Sequence, residues 1–253
     1  MKPIDIFITC YLRQAYTEKT LTYLFERTVY PFRLFIIDQG GNDEVLDAAK
    51  DKIFLRVKLM PNAGIHAAWN IALALAESEY FITSDNDIYV PNLRGYGQSW
   101  KYKNEFDEKS ISSKLENFTQ DGLSDNCWLT RMVSFMDECK EYAAISLHPH
   151  VFIGAAGIDP TDPEDVKERN MCGAVMRIMR TDVVREVGGW EHSIHTGRNH
   201  EERWVCGKLQ EAGWKTGIAS RIRAFHPFGT NWGYPEGVTP EMQGHNPDLK
   251  DYV

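Results

Sequence analysis

Tyr80-Phe81-Ile82-Thr83-Ser84-Asp85-Asn86-Asp87 decides how this chain is read. Four apolar or β-branched residues end abruptly in a polar string. That is the pattern of a buried strand reaching its carboxyl end. Two carboxylates one residue apart at such an end suit a hard divalent cation, magnesium or manganese, and ions of that kind usually accompany a ligand's phosphates. On that reading the protein handles a nucleotide or a sugar nucleotide. The plain alternative is a polar turn, because Asp and Asn favour turns.

Upstream, the pattern alternates strand and helix. Ile4 to Cys10 and Phe32 to Ile37 read as buried strands, and Ile53, Leu55, Val57 and Leu59 alternate as a third. Thr17 is expected to cap the first helix. Asn62-Ala63-Gly64 opens a helix carrying Ile65, Ala68, Trp69, Ala72 and Ala76 on one face. Strands and helices in turn, with short connections, predict a mainly parallel sheet with right-handed crossovers. Ligands of such sheets bind beyond the carboxyl ends of the strands. Thr9, Tyr11, Asp38, Asn62, Asp85 and Asp87 all fall at that edge.

Downstream the signals loosen. Residues 92–124 are polar and weakly periodic, and read as an insertion. Trp128, Met132, Phe135, Met136 and Cys139 keep helical spacing; Ala143 to Leu147 and Met171 to Met179 read as strands. His148-Pro149-His150 reads as loop, since proline disturbs strand geometry. Thr181 and Asn199 open short helices that stop at Gly188-Gly189 and Gly213, and Ile218 to Phe225 closes the pattern. The expected organisation is one domain over 1–253: a nucleotide-binding half (1–91), the insertion, an acceptor half (125–228) and an irregular tail (229–253).

The bulk numbers narrow the class. A chain of 253 residues, 43% hydrophobic, can bury a substantial core. Its net charge of −8 argues against a broad nucleic-acid surface. Five irregularly spaced cysteines without a Cys-x-x-Cys pattern speak against a disulfide framework or zinc knuckle. Together with the lack of a leader-like or membrane-spanning apolar stretch, they point to a cytoplasmic protein.

Taken in order, Ile6-Phe7-Ile8-Thr9-Cys10-Tyr11-Leu12-Arg13, Ile36-Ile37-Asp38-Gln39-Gly40-Gly41-Asn42-Asp43, Asn62-Ala63-Gly64 and Ser84-Asp85-Asn86-Asp87 resemble the family 2 glycosyltransferases of GT-A fold. Trp128-Leu129, Gly173-Ala174-Val175-Met176-Arg177, Val187-Gly188-Gly189-Trp190-Glu191 and His200-Glu201-Glu202-Arg203-Trp204 extend the resemblance. It covers about residues 3–91 and 125–228.

The resemblance implies a GT-A-like α/β/α sandwich that moves a sugar from a nucleoside diphosphate sugar, UDP- or GDP-linked, to the hydroxyl of an acceptor glycan or other compound. Thr9, Tyr11, Arg13, Asp38, Asn62, Gly64 and Asp85 would hold the nucleotide. Asp87, with Asp85, would ligate Mn2+ or Mg2+, and His226 would complete the metal shell or touch the diphosphate. Gly173 and Trp190 would lie on the acceptor or sugar side. Glu202, or else Glu201, would be the catalytic base, with inversion as the outcome.

The chain departs from the family pattern in its acidic pair, Glu201-Glu202 rather than Glu-Asp or Asp-Asp. Asn199 to Glu202 also fits a capping box, in which Glu202 would serve the helix end. A helix N-terminus lowers the basicity of a carboxylate unless burial offsets it. Arg177, Arg180, Arg221 and Arg223 read as phosphate or acceptor contacts or as solvated strand-face charge. A retaining transferase, a nucleotidyltransferase and a non-catalytic sugar-nucleotide-binding module remain alternatives. The first strand is not followed by the Gly-rich basic loop usual in nucleotidyltransferases, nor by the Gly-x-Gly-x-x-Gly of a dinucleotide enzyme.

Overall fold

A computed structural model describes residues 2–59, 61–91, 127–150, 166–191 and 200–226. The 92–124 insertion and the 229–253 tail lie outside the described residues. One sheet of eight strands runs in the order β3-β2-β1-β4-β7-β5-β8-β6. The strands are β1 (Ile4–Cys10), β2 (Phe32–Asp38), β3 (Leu55–Lys58), β4 (Tyr80–Asp85), β5 (Tyr142–His150), β6 (Val166–Glu168), β7 (Arg177–Arg180) and β8 (Lys215–Phe225). The helices are α1 (Gln14–Arg27), α2 (Asp43–Ala48), α3 (Gly64–Leu75), α4 (Trp128–Glu138), α5 (Thr181–Glu186) and α6 (His200–Glu211).

Strand alternation sorts the core into two layers. Ile4, Ile6 and Ile8 of β1, Leu34 and Ile36 of β2 and Ile82 of β4 point to one face, where Leu21 and Leu24 of α1 and Trp128 and Met132 of α4 cover them. Phe7, Phe35, Ile37 and Phe81 point to the other, under Ala68, Trp69 and Ala72 of α3 and Val205 and Leu209 of α6. Phe7 and Phe35 occupy paired positions in parallel strands and stack with centroids 4.5 Å apart. All seven residues of β1 are buried, as its dense run of β-branched and aromatic residues predicts, with Asp5 buried among them.

Strands β1 to β4 pair with one another only in parallel. β7 is antiparallel to both of its neighbours, and β6 is antiparallel to β8. The parallel half builds outward from β1 through β2 to β3, then returns to place β4 on the other side of β1. This reversal is a topological switch point, where open α/β sheets leave a crevice.

Several expectations from the sequence are corrected. Thr17 is inside α1 rather than at its start; Arg13, in the left-handed region at φ 58°, is the residue before the helix. His148-Pro149-His150 continues β5, pairing with Arg223 to Phe225 after a register shift beyond Leu147. Proline within a sheet is tolerated at such irregularities. The predicted strand from Met171 shrinks to Arg177–Arg180. Met176 has φ 44°, and the backbone groups of 174–176 are spent on other elements: Val175 C=O accepts from Leu147 N–H, and Met176 N–H donates to Ser84 Oγ. Neither α2 nor β6 was signalled by periodicity.

Candidate active site

The switch point brings the two ends of the site together. In the sheet register Thr9 sits opposite Asp85, and Cys10 opposite Asp38. Beyond β1 the chain turns through Leu12 and Arg13, both at positive φ. Asn86 holds that turn: its amide donates to Leu12 C=O (3.0 Å) and to Thr17 Oγ1 (2.7 Å), whose hydroxyl donates to Asn42 Oδ1 (2.6 Å). Gly41 lets the neighbouring turn pack there, since a Cβ at that position would lie 2.5 Å from Leu12 Cδ2. The turn delivers Arg13 Nη1 to within 2.6 Å of Asp87 Oδ2.

His226, the residue after β8, approaches the other oxygen of Asp87 at 3.3 Å. β8 carries three extra residues between its pairings with Leu147 and His148, and a bulged strand bends. Ligand atoms of Asp85, Asp87 and His226 all lie within 4.8 Å of one another. Burial, then the charge of Asp87, pushes the Asp85 carboxyl up to about 7. Burial would raise Asp87 as well, but His226 and Arg13 hold it below the usual carboxylate range. Burial alone would lower His226, yet the charge of Asp87 beside it carries it upward.

Asp87 Oδ1 is a buried oxygen without an aligned hydrogen-bond donor among the described residues; the His226 contact is an ion pair. An anionic pair that resists double ionisation, an under-used buried oxygen and an imidazole form a donor set that fits a divalent cation. Carboxylate oxygens suit Mn2+ and Mg2+, and imidazole nitrogen favours the transition metal.

The acidic pair belongs to the same site. Glu202 Oε1 accepts a hydrogen bond from Ala174 N–H at 3.0 Å, and Ala174 C=O accepts one from Asp85 N–H at 3.3 Å. A single residue thus joins the strand that ends in Asp85 to the helix that starts with the acids. Gly173 permits this approach: a Cβ there would stand 3.2 Å from Glu202 Oε1. The capping-box partner Asn199 lies outside the described residues. Burial raises both Glu201 and Glu202, with Arg177 pulling against it, so burial does offset the helix end.

Other predicted residues are placed differently. Asp38 is buried and already engaged: Oδ1 accepts from Gly40 N–H, and Oδ2 from Arg56 Nε (2.9 Å) and Nη2 (2.6 Å). Asn62 Oδ1 accepts from Gly64 N–H at 2.8 Å, shaping the entry to α3. Thr9 Oγ1 is buried and has no hydrogen-bond partner among the described residues. Tyr11 is half-buried at the rim.

Trp190 is 1% exposed. Its ring lies 5.5 Å from that of Trp69, and the Asn70 amide holds its backbone on both sides. It therefore supports the wall of the site from inside.

Arg177, one of four arginines left open by the sequence, is fully buried. Its guanidinium lies against the rings of Trp69 (4.7 Å) and Trp190 (5.5 Å) and donates to Cys172 C=O and Thr83 Oγ1. Arg56 as the partner of Asp38, and the linking role of Ala174, carried no sequence signal, because each depends on contacts between distant segments.

Residues 5–94 match the family model described as Glycosyl transferase family 2. No curated protein matches the chain. Among solved structures, S. aureus TarS 1-349 superposes with a TM-score of 0.60 at 14% identity, over 89% of this chain and 60% of that one. A mannosyltransferase from Pyrobaculum calidifontis, solved in complex with GDP-Man and Mn2+, gives 0.55 at 12% identity, over 90% and 58%. GalNAc-T7, solved with UDP, GalNAc and Mn2+, gives 0.61 at 11% identity, over 89% and 44%. The chain therefore spans about half of the length of these proteins, 44 to 60%. Residues 5–94 thus match a Glycosyl transferase family 2 model, and the chain has the GT-A fold of these solved glycosyltransferases.

Proposed function

We propose that this protein is a glycosyltransferase that moves a sugar from a nucleoside diphosphate sugar, UDP- or GDP-linked, to an acceptor hydroxyl with inversion. The observation that carries this reading is the Ala174 link, which holds Glu202 beside the Asp85–Asp87–His226 group at the switch point of the sheet. The match of residues 5–94 to the Glycosyl transferase family 2 model and two neighbours solved with Mn2+ beside a nucleotide or nucleotide sugar support it.

Asp87, Asp85 and His226 are assigned as the holders of Mn2+ or Mg2+. Such an ion neutralises charge developing on a leaving diphosphate. Thr9, Tyr11 and Asp38 are assigned to the nucleoside, with Asp38 oriented by Arg56. Arg13 is assigned to the diphosphate, which requires that it exchange its contact with Asp87. Glu202 takes the acceptor's hydroxyl proton as that oxygen attacks the anomeric carbon and the nucleoside diphosphate departs. Its raised proton affinity suits a general base, which works best when its pKa approaches the working pH. Residues 1–91 would bind the donor, and residues 125–228 would face the acceptor.

Calorimetry with UDP and GDP in the presence and absence of Mn2+ tests the reading. Binding is expected to need the cation and to disappear in Asp87→Ala. Undiminished binding in that variant would remove the metal assignment.

A further inference from the structure

We propose that Cys172 and Cys206 close into a reversible disulfide that clamps α6 onto the 172–176 segment and so controls the Glu202 site. The two sulfurs lie 3.6 Å apart. They are already engaged with each other's surroundings: Cys172 N–H points at Cys206 Sγ at 3.5 Å, and Cys206 Sγ faces Cys172 C=O at 3.9 Å. The cysteines are 34 positions apart, so the sequence pattern gave no sign of the pair.

Their position gives the pair a consequence. Cys206 is one helical turn beyond Glu202 on α6, and Cys172 is two residues before Ala174, whose N–H holds Glu202. The two sulfurs therefore join the same two segments as the Glu202–Ala174 hydrogen bond. A disulfide needs sulfurs about 2.05 Å apart, so closure brings the two sulfurs nearer by roughly 1.5 Å, shared between side-chain rotation and movement of the two segments. Backbone geometry on the 172–174 side is tight, since Gly173 already sits against Glu202. Any part of the approach taken up by the backbone alters the contact between Glu202 and Ala174.

The pair is also chemically asymmetric. Hydrogen bonding from Cys172 draws the Cys206 thiol down to about 7, against burial and with help from Arg177, whereas the same bond and burial push Cys172 well up. Cys206 Sγ also receives the Cys172 N–H at 3.5 Å, which favours its thiolate, so Cys206 is assigned as the attacking sulfur. Both sulfurs are buried, but Met171 and Gly173, on either side of Cys172, are half-buried, and the segment is irregular, so local opening exposes the pair to a small oxidant.

With a peroxide as oxidant, Cys206 attacks one oxygen, the O–O bond breaks, and the second oxygen leaves as water with the Cys206 proton. Cys172 sulfur then displaces hydroxide from the Cys206 sulfenic acid, and that hydroxide leaves as water with the Cys172 proton. Two thiols lose two electrons, and one peroxide becomes two waters.

The test treats the full chain with hydrogen peroxide, denatures it, alkylates the free thiols and maps the peptides. The expected product is a linked Cys172–Cys206 peptide lighter by two hydrogens, with Cys10, Cys127 and Cys139 alkylated, and dithiothreitol reverses it. Cys172→Ala and Cys206→Ser should each give no linked peptide. Full alkylation of both cysteines in the oxidised wild type, or oxidation confined to the half-buried Cys139, would overturn the proposal.

The activity arm rests on the glycosyl-transfer reading. Oxidation should reduce sugar-nucleotide turnover at least tenfold in the wild type, dithiothreitol should restore it, and Cys172→Ala should keep its turnover under peroxide. A linked peptide with unchanged turnover would overturn the control of Glu202. Absence of turnover in the reduced protein would count against the transfer reading alone, because the peptide map is independent of it.

Discussion

The two halves of the sheet assemble their share of the site in different ways. From β1 to β4 every contributing side chain sits at or just beyond a strand end, and parallel pairing alone sets Thr9 level with Asp85 and Asp38 one position further along. From β5 to β8 the strands run both ways, and Glu202 and His226 reach the site through tertiary contacts: a hydrogen bond to Ala174 and an approach to Asp87 after a bulged strand. The parallel half is a preformed shelf. The mixed half is a set of adjustments made against it, and changes there should alter chemistry more than fold.

The largest expected effect follows directly. Glu202→Gln keeps the shape but removes the proposed proton acceptor, so turnover should fall by about a thousandfold, within the range of general-base contributions. Nucleoside diphosphate binding, measured by calorimetry, should stay near wild type. Equal loss of binding and turnover would erase the proposed division of labour between the halves.

The next effect belongs to the shelf and should touch stability instead. Asp5 at the start of β1 is fully buried and accepts from Arg33 Nε and Nη2 and from the N–H groups of Glu77 and Ser78. Burial would raise its carboxyl, but these donors together hold it below its usual range. Asp5→Ala should cost about 2 kcal/mol in urea unfolding, the scale of hydrogen bonds to a charged group. Because the folded value is depressed, this stabilisation is complete above the unfolded value near 3.9 and is lost as pH falls through the folded one. The variant should therefore lack that acid-dependent loss.

The smallest effect is a displacement rather than a loss. Arg177 opposes the rise of the Glu202 carboxyl. In Arg177→Met the acid limb of the pH–rate profile should move to higher pH, whereas Arg177→Lys, which keeps the charge, should leave it nearer to wild type. Identical limbs in both variants would reduce Arg177 to a packing role against Trp69 and Trp190.

The same contrast governs what could be read from the sequence. The parallel half was legible because its signals are local: apolar runs mark β1, β2 and β4, and polar residues at their ends mark the ligand edge. Asp85 and Asp87 could be picked out there, and the family resemblance drew His226 and Glu202 toward the same edge. The mixed half resisted because its backbone is used across long separations. Met171 to Met179 has strand-like composition, yet Met176 at positive φ breaks it, and its peptide groups serve Asp85, Ser84, Leu147 and Glu202. Thr17 has the composition of a cap but is spent on Asn42 and Asn86. No spacing rule encodes Arg177 between two tryptophans or Cys172 beside Cys206.

Ala174 has one more implication. Its N–H and C=O lie in two adjoining peptide planes, each nearly rigid, so only its own φ and ψ separate the donor atom that holds Glu202 from the acceptor atom that holds Asp85. Two torsions of one small residue set the span between Glu202 and the backbone of Asp85. Any ligand that draws Asp85 forward turns that hinge, and with it the carboxylate on the opposite wall.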